Sequence, residues 1–471
     1  MKTLKNQLLL FTIISFVILF YGQDMGVNLS IFSLIVWGTL LFLRKGIYKD
    51  VRFVLLSGSI FISAAAFAWY GDFISFAALY ISLIITGFYT LFLNRLNILN
   101  LILLVPVNYA SFIIRIFWLD KWLPNKNKMT NTRAKLFAYY LIPGFFVVLF
   151  LIVYSNSSTV LSEFFRNFDI DFNILEVIFL SGLGFFFMFN FYHLLVPKFI
   201  IQNNKHLGDT FSVQQQTCMK PTFHNMDINL ERKSGEITLI LLNTLLAVFL
   251  IIYNAEQFQL NNNDTLSSNV HERIYTIIFS IILAVSVILL YFKNTLNFHG
   301  SNKRLKRLTY LWILLNLALI ASAIAANTTY IHFYSLTFKR IGVYIFLMLC
   351  IIGLYFTYNK IRQKKTNIYL IKNMFWTFFV TLVISSVVNW SWIVTKYTLN
   401  HSKNPDLYYL FYETRFNREI FYKNYKDEFM RGWQGQTDDE TYKVPIERGV
   451  AYERNKKFLS RKLYYQFVEL K

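Results

Sequence analysis

The 471 residues carry 55% hydrophobic but only 15% charged side chains, against roughly 45–50% and about 25% in soluble domains. With 49 Phe, 30 Tyr, 18 Gly, 7 Pro and 2 Cys, the composition excludes disordered, collagen-like, coiled-coil and disulfide-scaffold chains. A formal net charge of +21 would suggest nucleic acid in a soluble protein. The apolar residues gather instead into long runs, and the charge finds another explanation in where it falls between them.

A bilayer core of roughly 30 Å needs about 20 predominantly apolar residues per helix. In chain order the candidate runs are residues 8–21, 29–43, 53–70 and 73–93, then 98–114, 136–154, 174–196 and 237–253. The last four are 274–292, 308–326, 341–358 and 373–394. The first run follows Lys2 and Lys5, but only Gly22, Gln23 and Asp24 stand where a signal peptide would be cleaved, so it reads as a retained anchor helix. Residues 98–114 carry Pro106 and Asn108, with Arg115 next, and read as a re-entrant or interfacial segment. The expected fold is therefore all-α: a polytopic transmembrane helical bundle over residues 1–395 with about eleven spanning helices, twelve if 98–114 crosses.

Positive charge orients the bundle. With a cytoplasmic N-terminus and eleven crossings, the cytoplasmic segments hold 28 of the 47 Lys and Arg, the opposite loops hold four, and the tail after residue 395 holds 15. Much of the net charge is thus orientation bias, and no nucleic-acid partner is implied. The same count puts the tail on the outer face.

Residues 396–471 form the only sizeable piece outside the runs. Positions 413–431 have helical composition and end at Gly432, Trp433, Gln434 and Gly435. A second helical pattern places Leu459, Leu463 and Phe467 on one stripe among Arg454, Lys456, Lys457, Arg461 and Lys462. A basic amphipathic helix of this kind suits an anionic membrane surface; its stripe could equally pack on the first tail helix.

Few constellations offer chemistry. Glu176 sits near the outer end of its helix, where a carboxylate costs less than at the bilayer centre. His193 shares that helix, but 17 positions amount to about 25 Å of axis, so the two cannot meet. Asn190 needs a partner in lipid, and with Glu176, Asn243 and Asn316 it forms a candidate polar cavity. Lys339 and Arg340, the paired cations on the outer side, are a candidate lipid or anion contact. His206, Cys218, His224 and Asp227 share one inner loop, yet their spacing matches no zinc pattern. No phosphate loop, nucleophile elbow or zincin motif occurs, so no catalytic residue, metal or cofactor is implied. Small residues four apart (Ser59/Ser63, Ala64/Ala68, Ala321/Ala325, Ser322/Ala326) predict tight helix contacts.

Two strings suggest a family. One runs Tyr330–Ile331 and then Leu336, Thr337, Phe338, Lys339, Arg340, Ile341, Gly342, Val343, Tyr344. The other is Val388–Asn389–Trp390 with Ile393, Lys396, Tyr397, Leu399, Asp406, Tyr409 and Leu410. Over residues 180–410 the chain resembles the bacterial multi-pass membrane family catalogued as domain-of-unknown-function 4173, with Thr398 where that family carries Asn. The resemblance implies a polytopic protein of the bacterial inner membrane and assigns no activity or catalytic residue.

The leading functional reading is a non-catalytic membrane scaffold, accessory or sensor protein that contacts lipids and binds another membrane protein through its tail. The alternative is a transporter or lipid-handling protein with a midplane polar cavity. An enzyme ranks third: it would need facing acids, bases or metal ligands, and only Lys339, Arg340 and Glu176 lie near one side.

Overall fold

A computed structural model describes residues 2–93, 95–118, 122, 173–212, 227–260, 269–292, 298, 302–401, 406–423 and 445–470. The described residues are helical and contain no strand, only an isolated bridge between Thr210 and Lys365. Eight of their helices are long and apolar enough to cross a membrane. The chain forms two compact units: Met1–Ile200 with Tyr452–Gln466, and Ile201–Ala451 with Phe467–Lys471. The tail expected as one piece thus contributes to both.

The first unit contains α1 (Lys2–Phe20), α2 (Val27–Leu43), α3 (Val51–Tyr70), α4 (Phe73–Phe92), α5 (Asn100–Ala110), α6 (Phe112–Phe117) and α7 (Ile174–Tyr192). Their ends follow local chemistry. Asp50 caps α3 by accepting from Arg52 N at 2.9 Å, and its Oδ2 accepts from Tyr89 Oη at 2.5 Å. The Tyr89 bond holds the Asp50 carboxyl below its usual range. Asp72 caps α4 through Ser75 N, and Gly71 ends α3 in the left-handed region that glycine tolerates best. Phe16, Phe20, Val36, Leu40, Phe53 and Phe189 build the core of this unit. The small residues Ser59, Ser63, Ala64 and Ala68 are buried, and Ser30 Oγ donates to Ala64 O at 2.7 Å across the α2–α3 contact.

A short helix, α8 (Lys198–Asn204), runs across the division between the units. The second unit contains α9 (Ile228–Leu260), α10 (Asn269–Tyr291), α11 (Lys303–Tyr334), α12 (Phe338–Arg362), α13 (Asn367–Val387), α14 (Trp390–His401) and α15 (Leu407–Tyr412). Its core joins Leu239 and Leu246 of α9 to Ile281 of α10, Trp312 and Leu319 of α11, and Leu347 and Leu354 of α12. The expected pair Ala321/Ala325 is exposed; the inward small residues of α11 are Ala323 and Ala326.

Three expectations need correction or restriction. The run 373–394 is not one helix, because Val388 is extended and Asn389 starts α14 by accepting from Trp392 N at 2.9 Å. Leu459, Leu463 and Phe467 do not lie on a basic amphipathic helix. Residues Pro445–Asn455 form a helix, α16; a 3-10 turn follows at Phe458–Ser460, then extended chain at Arg461, then a single turn, α17 (Tyr464–Phe467). The backbone groups a helix would satisfy internally bond elsewhere: Arg461 O accepts from Val27 N at 3.1 Å and Leu463 N donates to Ala68 O at 2.9 Å. The run 136–154 lies outside the described residues, as do residues 424–444 of the tail.

Candidate functional site

In the first unit, the segment read as re-entrant is two helices interrupted at Ser111. Pro106 withdraws one N–H from α5, and the Asn108 side chain, whose Nδ2 donates to Leu104 O of its own helix at 2.8 Å, also reaches beyond it. Its Nδ2 donates to Leu195 O at 3.0 Å and its Oδ1 accepts from Leu195 N at 2.8 Å. This two-way amide clamp ties α5 to the chain just beyond α7. On α6, Arg115 is 4% exposed. Its Nη1 donates to Asn108 O at 3.0 Å and to Asn190 Oδ1 at 2.8 Å, and its Nη2 donates to His193 O. The guanidinium lies 5.1 Å from the Phe189 ring centroid. Asn190, 2% exposed, therefore has its buried partner, and its own Nδ2 donates to Phe186 O at 2.9 Å.

Lys5 joins the same end of α7 from α1, donating to Tyr192 O at 2.9 Å. Cations at a helix C-terminus suit the carbonyls and dipole there. Burial, then the charges of Lys5, Arg115 and Lys2, push the His193 imidazole down to about 4. Its Nε2 is buried with no hydrogen-bond partner.

At the other end of α7, Glu176 Oε1 accepts from Gly22 N at 2.7 Å, and Asn173 caps the helix through Glu176 N. Glu176 and Asn190 are 14 positions apart on α7, about 21 Å of axis. The other two cavity candidates belong to the second unit. Asn243 Nδ2 donates to Leu308 O at 3.1 Å and Asn316 Nδ2 to Trp312 O at 2.8 Å, while the Oδ1 atoms of both are buried without a donor. Asn327, which the sequence reading passed over, repeats the pattern: its Nδ2 donates to Arg340 O at 3.2 Å and its Oδ1 lacks a partner.

Lys339 and Arg340 point to different surroundings. Lys339 is exposed, whereas Arg340 is buried. Arg340 Nη1 donates to Tyr334 O at 2.6 Å and to Ser335 O, and the guanidinium stacks 4.3 Å from the Tyr330 ring centroid. Ser335 has a φ of 68°, so Arg340 braces a tight left-handed turn between α11 and α12. Lys360, counted in the sequence only as an inner charge, is fully buried and donates to Phe292 O at 3.1 Å.

Sequence reasoning took Asn108 and Arg115 only as signs against a crossing. The signal for more was present: a cation directly after a Pro-interrupted apolar run must find acceptors, and Asn190 was an amide needing a donor. Of the inner-loop metal-ligand types, Cys218 and His224 lie outside the described residues; among those described, no three His, Cys, Asp or Glu residues gather to hold a metal. Cys350 is a free, half-buried thiol.

No curated protein and no solved structure matches the chain. A family model described as a domain of unknown function, DUF4153, matches residues 52–415. The expected affiliation is corrected in its number, 4153 in place of 4173, while an unknown-function family stands. Seven of the eight helices long and apolar enough to span a bilayer fall in the matched region, and the chain is a membrane protein belonging to the DUF4153 family.

Proposed function

We propose that the protein is a lipid- or solute-handling protein of the bacterial inner membrane. The observation that carries this reading is the row of buried amide oxygens without donors at Asn243, Asn316 and Asn327. Asn243 bonds α11 at the level of Leu308. From Leu308 to Asn327 is 19 residues, about 28 Å of helix axis, close to the roughly 30 Å of a bilayer core. Buried acceptors are ordinarily satisfied, so three along one bundle suit a passing or resident group that donates hydrogen bonds.

The charge bias supports a cytoplasmic N-terminus. The tail segment Ser460–Leu463 is bonded to the α1–α2 turn and to the end of α3. Since α1 and α3 run the same way across a bilayer, that side is opposite the N-terminus. An outer tail on a cytoplasmic start requires an odd number of crossings, which favours eleven over twelve.

The test is native mass spectrometry of the full chain released from nanodiscs of its own membrane lipids. A stoichiometric lipid or solute that is lost with Asn316→Leu supports the reading. Release of a bound protein with no small ligand overturns it in favour of the scaffold or accessory role, in which the tail and exposed Lys339 would contact the partner or lipid.

A further inference from the structure

We infer that the junction of α1, α6 and α7 binds a phosphate-class oxyanion through Lys5, Arg115 and His193. The inference concerns the first unit and is independent of the amide row in the second.

Among the described residues, the groups that accept hydrogen bonds from these cations are all neutral. Lys5 Nζ donates to the Tyr192 carbonyl, and Arg115 donates to the carbonyls of Asn108 and His193 and to the amide oxygen of Asn190. Among the described residues, no carboxylate pairs with Lys5 or Arg115. These bonds orient the charges without cancelling them. The negative end of α7 offers the equivalent of only about half an elementary charge, whereas Lys5 and Arg115 bring two, with Lys2 adding to the field at His193. Burying charge without a counter-charge is costly, so the junction is built for an anion.

Donor capacity points to the class of ligand. A guanidinium has five N–H donors and an ammonium three. Three of Arg115's and one of Lys5's are engaged in the bonds above, leaving two on each. His193 Nε2 adds a buried ring nitrogen with no partner. A tetrahedral phosphate, with several strong acceptor oxygens and one or two negative charges, matches an ammonium point charge beside a guanidinium fork. Lys5 is half-buried and Lys2 exposed, so the approach is from the N-terminal end of α1, with Arg115 at the base. The phosphate can be that of an anionic lipid headgroup or a free ion.

The experiment uses the full chain in nanodiscs of phosphatidylcholine, with or without phosphatidylglycerol, and separately with inorganic phosphate. Native mass spectrometry counts retained phosphatidylglycerol, and thermal melting reads the response to phosphate. Lys5→Gln removes the charge while its amide can still donate to Tyr192 O; Lys5→Arg keeps the charge. Retention of one phosphatidylglycerol by the native chain and Lys5→Arg, weakened at least tenfold in Lys5→Gln, identifies a lipid headgroup. A phosphate-dependent rise in melting temperature with the same variant pattern, and no retained lipid, identifies a free ion. If the native chain neither retains phosphatidylglycerol nor responds to phosphate, the proposal fails whatever the variants do. It fails equally if Lys5→Gln, melting like the native chain, binds as well.

Discussion

Gly26 and Arg461 approach so closely that a Cβ on the glycine would lie 2.6 Å from the arginine's carbonyl oxygen. The contact closes the tail segment at Ser460–Arg461 onto the α1–α2 turn, where Gly26 precedes the first residue of α2. Around it, Asp24 N donates to Ser460 Oγ at 2.8 Å, Ser460 Oγ donates to Gln23 Oε1 at 2.7 Å, and Lys456 lies 3.4 Å from Asp24. Burial draws the Lys456 ammonium pKa down, but the carboxylates of Glu453 and Asp24 outweigh it and hold the group above its usual range. Because the close atoms are backbone, they cannot swing aside.

Gly26→Ala should therefore release the tail segment and cost about 2 kcal/mol, within the usual span for overpacked sites. Gly38, inside α2 with nothing near its Cβ position, is the control: Gly38→Ala should be neutral or stabilising by up to about 1 kcal/mol. Trypsin cleavage after Arg461 and Lys462 reads the release directly. Equal protection of both variants would show that the tail contact is not held by this approach.

The same contact predicts sidedness. In a chain whose native cysteines are replaced, Met25→Cys and Lys457→Cys should label from the same side of the membrane, and Lys49→Cys from the other. Labelling of Met25→Cys and Lys457→Cys on opposite sides would remove the docked tail from the native protein.

Asn190→Leu should destabilise the first unit by roughly 2–3 kcal/mol, since it strips a hydrogen bond from a buried cation rather than from a neutral group. Asn316→Leu should cost less than about 1 kcal/mol, because the Trp312 carbonyl it leaves belongs to the α11 ladder and the lost Oδ1 had no donor. Chemical or thermal unfolding of the two variants in the same detergent checks the contrast. Equal losses would refute the assigned difference.

His193 gives a pH dependence. Its folded-state value of about 4 lies below the ordinary 6.5, so the unfolded chain binds the proton more readily. Stability is complete above pH 6.5, falls as the pH drops from 6.5 to 4, and levels below that; the full loss is on the order of 3 kcal/mol. Melting temperature followed across this window should flatten in His193→Gln. An unchanged slope in the variant would assign the acid sensitivity to other groups.

Hydropathy determined the class of this protein, because a bilayer demands apolar runs of set length, and such runs are written locally. The apolar runs at residues 53–70, 73–93 and 341–358 became helices α3, α4 and α12 for that reason. Pairings between distant residues were not legible. Asn190 announced a need for a partner but not that Arg115, 75 positions away, would meet it. Periodicity around Leu459, Leu463 and Phe467 suggested a helix, and lost to the Val27 amide and the Ala68 carbonyl, which only the folded first unit presents. The break at Asn389 was likewise decided by its capping bond and by Phe416 O, 3.0 Å from its Nδ2. A sequence records each group's hydrogen-bonding requirement; which distant group meets it depends on tertiary geometry, and the tail and the Arg115 junction were settled there.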